Sequence, residues 1–193
     1  MDLTSPISSV IPSLDGPVLQ VLASSSAPLS LTKVHQRAGR GSLSGVRKVL
    51  SRLVEHGLVD HDPAGYVLNR DHVAAPAIRH LAQLHGEVAR RICGWLENRP
   101  EDVVAAGLYG SAARRDGDTD SDIDLIVVTG SSTGPALSEE LAEAIERWTG
   151  NRGQVVLLTC DEVRVVREED RPIVESWRRD LQMLIGDRAQ VVG

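Results

Sequence analysis

A chain of 193 residues with 21 Lys+Arg against 27 Asp+Glu carries a net charge of -6, with 41% hydrophobic residues, 3% aromatic residues and no phenylalanine. That is room for one or two small domains with an aliphatic core, and the ordinary apolar content excludes wholesale disorder despite a Ser- and Pro-rich beginning. No apolar run approaches the roughly 20 residues needed to cross a bilayer, and no Lys or Arg precedes Lys33 to open a signal peptide, so a cytoplasmic protein without a membrane partner is expected. Cys93 and Cys160 lie far from any second thiol or zinc-spaced His and read as packing residues.

The charge is uneven: residues 1–72 and 73–97 each carry net +1, and residues 98–193 carry net -8. A near-neutral unit can approach phosphates, whereas an acidic one repels them unless a cation intervenes. We therefore expect three parts, with a connecting helix over 73–97 between an N-terminal unit and an acidic C-terminal one.

In chain order, Val18, Leu19, Val21 and Leu22 predict a first helix that ends near Ser24 to Pro28. A second is predicted over Leu31 to Ala38. Gly39-Arg40-Gly41 makes a turn, and Ser42 is placed to cap a third helix whose Leu43, Val46, Leu50 and Leu53 form a buried stripe. Its opposite face presents Ser44, Arg47, Lys48, Ser51 and Arg52, and Gly57 ends it. Leu58 to His61 and Gly65 to Leu68, around Asp62-Pro63-Ala64, read as a β-hairpin. Three helices and a hairpin, notably in "VRKVLSRLVEHGLV", resemble the winged helix-turn-helix domains of small bacterial transcription regulators over about 60 residues. The resemblance implies that the third helix enters the major groove of double-stranded DNA with Arg47, Lys48, Ser51 and Arg52, while Arg40 reaches the backbone. A solvated helix face or a protein-docking role is the alternative, and net +1 is low for such a module, which a homodimer would double. Gly39, Gly41 and Gly45 are spaced G-x-G-x-x-x-G with no strand before them, so no dinucleotide fingerprint is present.

Asp71 is placed to cap a long helix to about Glu97, with Ile78, Leu81, Leu84, Val88, Ile92 and Trp95 as its stripe. His80 and His85 on it stand five apart and do not share a face. A turn is expected at Asn98-Arg99-Pro100.

The segment "LYGSAARRDGDTDSDIDLIVV" carries the chemistry. Val103 to Tyr109 reads as a buried strand that Gly110-Ser111 breaks into a short helix; free backbone N–H groups at such a turn, with the Ser111 hydroxyl, suit phosphate oxygens. In the next strand, Asp122 to Val128, residues two apart point the same way, so Asp122 and Asp124 project side by side while Ile123, Leu125 and Val127 face the other side. Two neighbouring carboxylates in a cleft repel, and a hard divalent cation, Mg²⁺ or Mn²⁺, relieves this. Asp116, Asp118 and Asp120 do not make a calcium loop with Asp122, because Ser121 replaces the turn glycine and Val127 the twelfth-position glutamate. They read as a solvated turn.

Gly110-Ser111 followed by Asp122-x-Asp124 resembles the DNA polymerase β-like nucleotidyltransferase superfamily, in particular its minimal domains. The resemblance covers 98–193 and implies an α+β protein, a winged helix-turn-helix followed by a small mixed-sheet nucleotidyltransferase domain. It further implies that Asp122 and Asp124 hold the metal, that Gly110 and Ser111 bind the triphosphate, and that Arg114 stabilises phosphate charge. The reaction would be transfer of a nucleoside monophosphate from a nucleoside triphosphate to an acceptor hydroxyl. The family commonly supplies a third carboxylate as base from a neighbouring strand. The candidate strand, Gln154 to Cys160, has none, leaving Gln154 as a neutral ligand or Asp161 and Glu162 reaching back from the strand end, although these read better as a helix start. The alternative is therefore a transcriptional regulator whose degenerate domain senses a nucleotide. Leu137, Leu141, Ile145 and Trp148, and then Val174, Trp177, Leu181 and Leu184, predict two further core helices, the second exposing Arg178 and Arg179.

Overall fold

The computed structural model describes residues 1–99, 102–131, 135–169 and 171–193. Pro100, the last residue of the expected turn at 98–100, lies outside the described residues. The chain divides into two compact units, one of Asp2 and residues 4–84, the other of Met1, Leu3 and residues 85–193.

In the first unit a 3-10 turn, Pro6–Ser9, precedes α1 (Asp15–Ala23), α2 (Leu31–Ala38), α3 (Leu43–Glu55), strands β1 (Val59–Asp62) and β2 (Gly65–Leu68), and α4 (Ala75–Ala82). The caps follow from side chains: Ser30 Oγ accepts from Lys33 N at 3.4 Å and Ser42 Oγ from Gly45 N at 3.1 Å, each satisfying an amide that the helix cannot. Asp62 Oδ1 accepts from the Ala64 and Gly65 amides at 2.8 and 3.1 Å, which closes the hairpin. β1 and β2 are antiparallel, and Leu29 exchanges backbone bonds of 2.8 and 2.9 Å with Tyr66, adding a third short segment beside β2. The core gathers Val18, Leu22, Val34, Val46, Leu50, Leu53, Val59 and Leu68. One predicted core position moves: Leu43 is 40% exposed and Val49 is buried instead. As the first residue of α3, Leu43 extends beyond the turns that pack on the core, so the stripe centres on Val46, Val49, Leu50 and Leu53.

The single helix expected from Asp71 is two. α4 ends at Ala82, with Gln83 as its C-cap, and α5 runs Leu84–Glu97. Asp71 does not cap; α4 starts after Ala74 with Pro76 in its first turn, where a missing N–H costs nothing. Ile78 packs into the first core and Ile92 with Leu96 into the second, so each piece of the long apolar stripe is buried by its own unit.

The second unit continues with β3 (Val103–Tyr109), α6 (Gly110–Arg114), β4 (Ile123–Thr129), α7 (Ala136–Thr149), β5 (Gly153–Thr159), α8 (Cys160–Glu168), α9 (Pro172–Asp180), β6 (Gln182–Ile185) and α10 (Ala189–Val192). The sheet order is β5-β4-β3-β6, with β4 and β5 parallel and the other pairs antiparallel. A parallel pair needs a crossover, which α7 provides. α5 and α7 cover one face through Ile92, Leu96, Leu137, Leu141 and Ile145 against Leu108, Ile123, Leu125 and Val127. α8, α9 and α10 cover the other through Val163, Val174, Trp177 and Val191 against Tyr109, Ile126 and Val128. Covering both faces explains why β4 reads as an uninterrupted aliphatic run after Asp124. The helix expected across Leu181 and Leu184 stops at Asp180: Leu181 turns the chain with ψ 118, and residues 182–185 become a strand on the free edge of β3. Periodicity alone cannot see that edge. Gly107 allows it, since a Cβ there would meet Gln182 O at 3.0 Å.

Candidate functional site

β3 delivers Tyr109 in extended geometry, and Gly110 then takes φ +64, the left-handed region where glycine carries no penalty. A Cβ on Gly110 would overlap Asp124 Oδ2, so the turn is closed against that carboxylate. Asp124 sits on β4 between Tyr109 of β3 and Gln154 of β5, and Asp122 immediately precedes the strand. Both are half-buried. Burial and the neighbouring Asp122 charge push the Asp124 carboxyl above its ordinary value, with a smaller opposing pull from Arg114. The same carboxylate, after burial, helps raise Tyr109 to about 12, so its hydroxyl stays neutral; the ring packs edge-on against Trp177 at 6.3 Å.

Gly110, Ser111, Asp122 and Asp124 are thus brought to one end of the sheet. Arg114 joins them only indirectly. Its guanidinium bonds Asp116 at 2.8 Å and Asp180 at 2.5 Å, and the Asp180 side chain is 3% exposed and also bound by Arg179. Arg114 therefore ties α6 to the end of α9. Among the described residues no ion pair reaches Asp122 or Asp124, so their mutual repulsion is only partly offset, by the more distant charge of Arg114.

The loop between α6 and β4 is an internally bonded turn. Asp118 Oδ1 accepts from the Asp120 amide at 3.0 Å and the Ser121 hydroxyl at 2.9 Å, and Asp116, Asp118 and Asp120 are all exposed. Sequence reasoning missed Asn151. Its side chain is buried at 2% exposure, and its amide donates to the carbonyls of Ser121, Thr119 and Asp118 at 2.9, 3.3 and 3.4 Å, fixing the approach to Asp122. An asparagine before a strand carries no local signal of that role. Gly117 is closed in as well, since a Cβ there would lie 2.9 Å from Ser111 Oγ.

The third carboxylate is decided by strand direction. Gln154 stands in register with Asp124, on the same face of the sheet, at the position from which a neighbouring strand could complete the pair. Asp161 and Glu162 follow the far end of β5, which is parallel to β4, so they stand about 20 Å along the strand from the carboxylate end. They cannot reach back. Asp161 bonds Arg164 at 2.7 Å, and Glu162 forms a capping box with Thr159. Among the described residues no group of three His, Cys, Asp or Glu is arranged to hold a metal ion. Two buried-edge carboxylates with oxygen-only donors nevertheless fit a hard cation that also binds substrate phosphates.

In the first unit, Arg47, Lys48, Ser51 and Arg52 are all exposed on α3. Arg52, however, forms an ion pair with Asp15, and Arg40 bonds Asp2 at 2.9 Å. These pairings leave Arg47 and Lys48 as the cations of the α3 face without an ion pair among the described residues.

Residues 91–170 match the family described as "Polymerase beta, Nucleotidyltransferase". No curated protein matches the chain. Among solved structures the chain is similar to a toxin–antitoxin crystallised with AMP-PNP (TM-score 0.40, 16% identity, covering 54% of this chain and 80% of that one). It is also similar to the tri-AMPylated Shewanella oneidensis HEPN toxin in complex with MNT antitoxin (TM-score 0.36, 17% identity, 54% and 75%). A third likeness is to the toxin–antitoxin MntA-HepT (TM-score 0.34, 17% identity, 55% and 74%). The motif spacing and the family match meet on the same stretch of chain, residues 91–170, which is similar to the polymerase beta nucleotidyltransferase family.

Proposed function

We propose that the protein is a metal-dependent nucleotidyltransferase that moves a nucleoside monophosphate from a nucleoside triphosphate to an acceptor hydroxyl. The observation that carries this reading is the half-buried Asp122/Asp124 pair, in which neither carboxylate has an ion pair among the described residues and Asp124 is closed against the Gly110 turn. Asp122 and Asp124 would hold Mg²⁺ or Mn²⁺, which supplies charge neutralisation for the phosphates. The Gly110-Ser111 turn offers backbone N–H groups and a hydroxyl to the triphosphate. α6 is only five residues long, so these local donors, rather than a helix dipole, carry the attraction. Arg114, held by Asp116 and Asp180, fixes the turn and lends a positive field to Asp124.

Gln154 favours a second reading, in which the domain binds a metal–nucleotide complex without turnover and serves as a sensor, because an amide cannot take the acceptor proton. Incubation with labelled nucleoside triphosphates, Mg²⁺ and candidate acceptors separates the two. Transfer that is lost in Asp122→Asn and Asp124→Asn supports the enzyme, metal-dependent binding without transfer supports the sensor, and absence of both overturns the site.

For residues 1–72 we propose a winged helix that contacts double-stranded DNA. The third segment at Leu29, the hairpin and the exposed α3 face support it. Because Arg40 and Arg52 are paired with Asp2 and Asp15, Arg47 and Lys48 are the phosphate contacts in this reading, with Ser51 between them. Removing both should flatten the salt dependence of duplex binding by roughly 0.9 log units per lost contact. An unchanged slope in Arg47→Ala/Lys48→Ala removes DNA from the proposal.

A further inference from the structure

The two edges of the four-stranded sheet are guarded differently. β6 is four residues long and shifts register against β3, and short, irregular edges are poor templates for another strand. β5 has none of these protections. It runs seven residues in unbroken register with β4 and has no strand on its outer side among the described residues. From Gln154 to Thr159 it contains no charge and no proline, and Val155, Val156, Leu157 and Leu158 are four consecutive aliphatics that remain partly exposed. An open groove of about 400 Å³ runs beside it, walled by Pro135, Ser138, Val155, Leu157 and Leu158.

The strand is charged only beyond its ends, with Arg152 before it and Asp161 and Glu162 after it. Arg152 is exposed and forms no ion pair among the described residues. We infer that β5 docks a second copy of this chain, strand against strand in antiparallel sense about a two-fold axis at Val156, so that two four-stranded sheets become one. The charges choose the direction. Antiparallel pairing sets Arg152 of each copy opposite Cys160 of the partner subunit, beside the acidic pair that follows it at Asp161 and Glu162, whereas parallel pairing would set Arg152 against itself and acid against acid. The axis pairs Val155 with Leu157 of the partner subunit, covering aliphatics that water now touches and giving the outward backbone groups of β5 partners.

The test uses the full chain. Sedimentation equilibrium from micromolar to submillimolar concentration should show a monomer–dimer equilibrium, weakened about tenfold or more by Arg152→Glu and recovered in Arg152→Glu/Asp161→Arg. In the unaltered chain, β5 amides should gain protection from hydrogen exchange as concentration rises, while those of β4 stay protected throughout. A monomer at all concentrations overturns the inference, as does a dimer whose β5 amides exchange at a rate independent of concentration. Should Arg152→Glu fail to fold, judged by circular dichroism, the exchange experiment decides alone.

Discussion

At Gly110 a single missing methyl group decides whether the site can exist. The residue has φ +64, and its α-carbon faces Asp124 so closely that any side chain would displace the carboxylate. Gly110→Ala therefore carries two penalties, left-handed strain of about 1–2 kcal/mol and the movement of Asp124. We expect this variant to fold but to lose nucleotide binding by an order of magnitude or more, measured by titration calorimetry in the presence of Mg²⁺. Binding equal to the unaltered chain would mean that Asp124 is not a ligand-side group. Asp180 acts at the same scale and was invisible beforehand: a buried carboxylate 66 positions from Arg114 in sequence holds the guanidinium that faces the site. Three residues the sequence reading had offered to a ligand or to DNA, Arg114, Arg52 and Arg40, turn out to have carboxylates of their own.

At the scale of elements, the local chemistry of caps was readable. Ser42 and the Asp161-Glu162 helix start behave as their residue types dictate, because capping needs only three or four consecutive residues, whereas the cap expected at Asp71 does not form. Thr159→Ala removes the hydroxyl that accepts from Glu162 N at 3.2 Å and should cost about 1 kcal/mol of stability in denaturant unfolding, with a smaller effect from Glu162→Gln, which retains the box. The errors at this scale have one source. The repeat through Leu184 and the stripe from Ile78 to Trp95 are genuine apolar periodicities, yet one ends where a sheet edge offers backbone bonds and the other divides between two cores. Periodicity reports which side of a segment is apolar, not what will cover it.

At the scale of the whole molecule, the uneven charge has a thermodynamic consequence. An acidic unit with two adjacent carboxylates should be stabilised by a divalent cation with a triphosphate more than by either alone, since the metal relieves repulsion on both sides. With a metal–nucleotide complex at a hundred times its Kd, linkage predicts about 2.7 kcal/mol of stabilisation. A rise in melting temperature with Mg²⁺ and nucleoside triphosphate that disappears in Asp122→Asn/Asp124→Asn is the expected result; an identical rise in that variant would locate the ligand elsewhere.

The sequence by itself determined the helix–hairpin pattern of the first unit, the strand that carries Asp124, though it starts one residue later than read and leaves Asp122 just before it, and the glycine turn that precedes both. These depend on neighbours within a few positions, where the periods of side-chain direction and the chemistry of turns act directly. Only the tertiary structure decided that β5 runs parallel to β4. That direction carries Asp161 and Glu162 away from the carboxylate pair, puts Gln154 beside Asp124 and leaves an uncharged strand at the sheet's edge. Strand order and direction are set by which faces and edges are buried together over long separations in the chain, and a one-dimensional pattern holds no record of that choice.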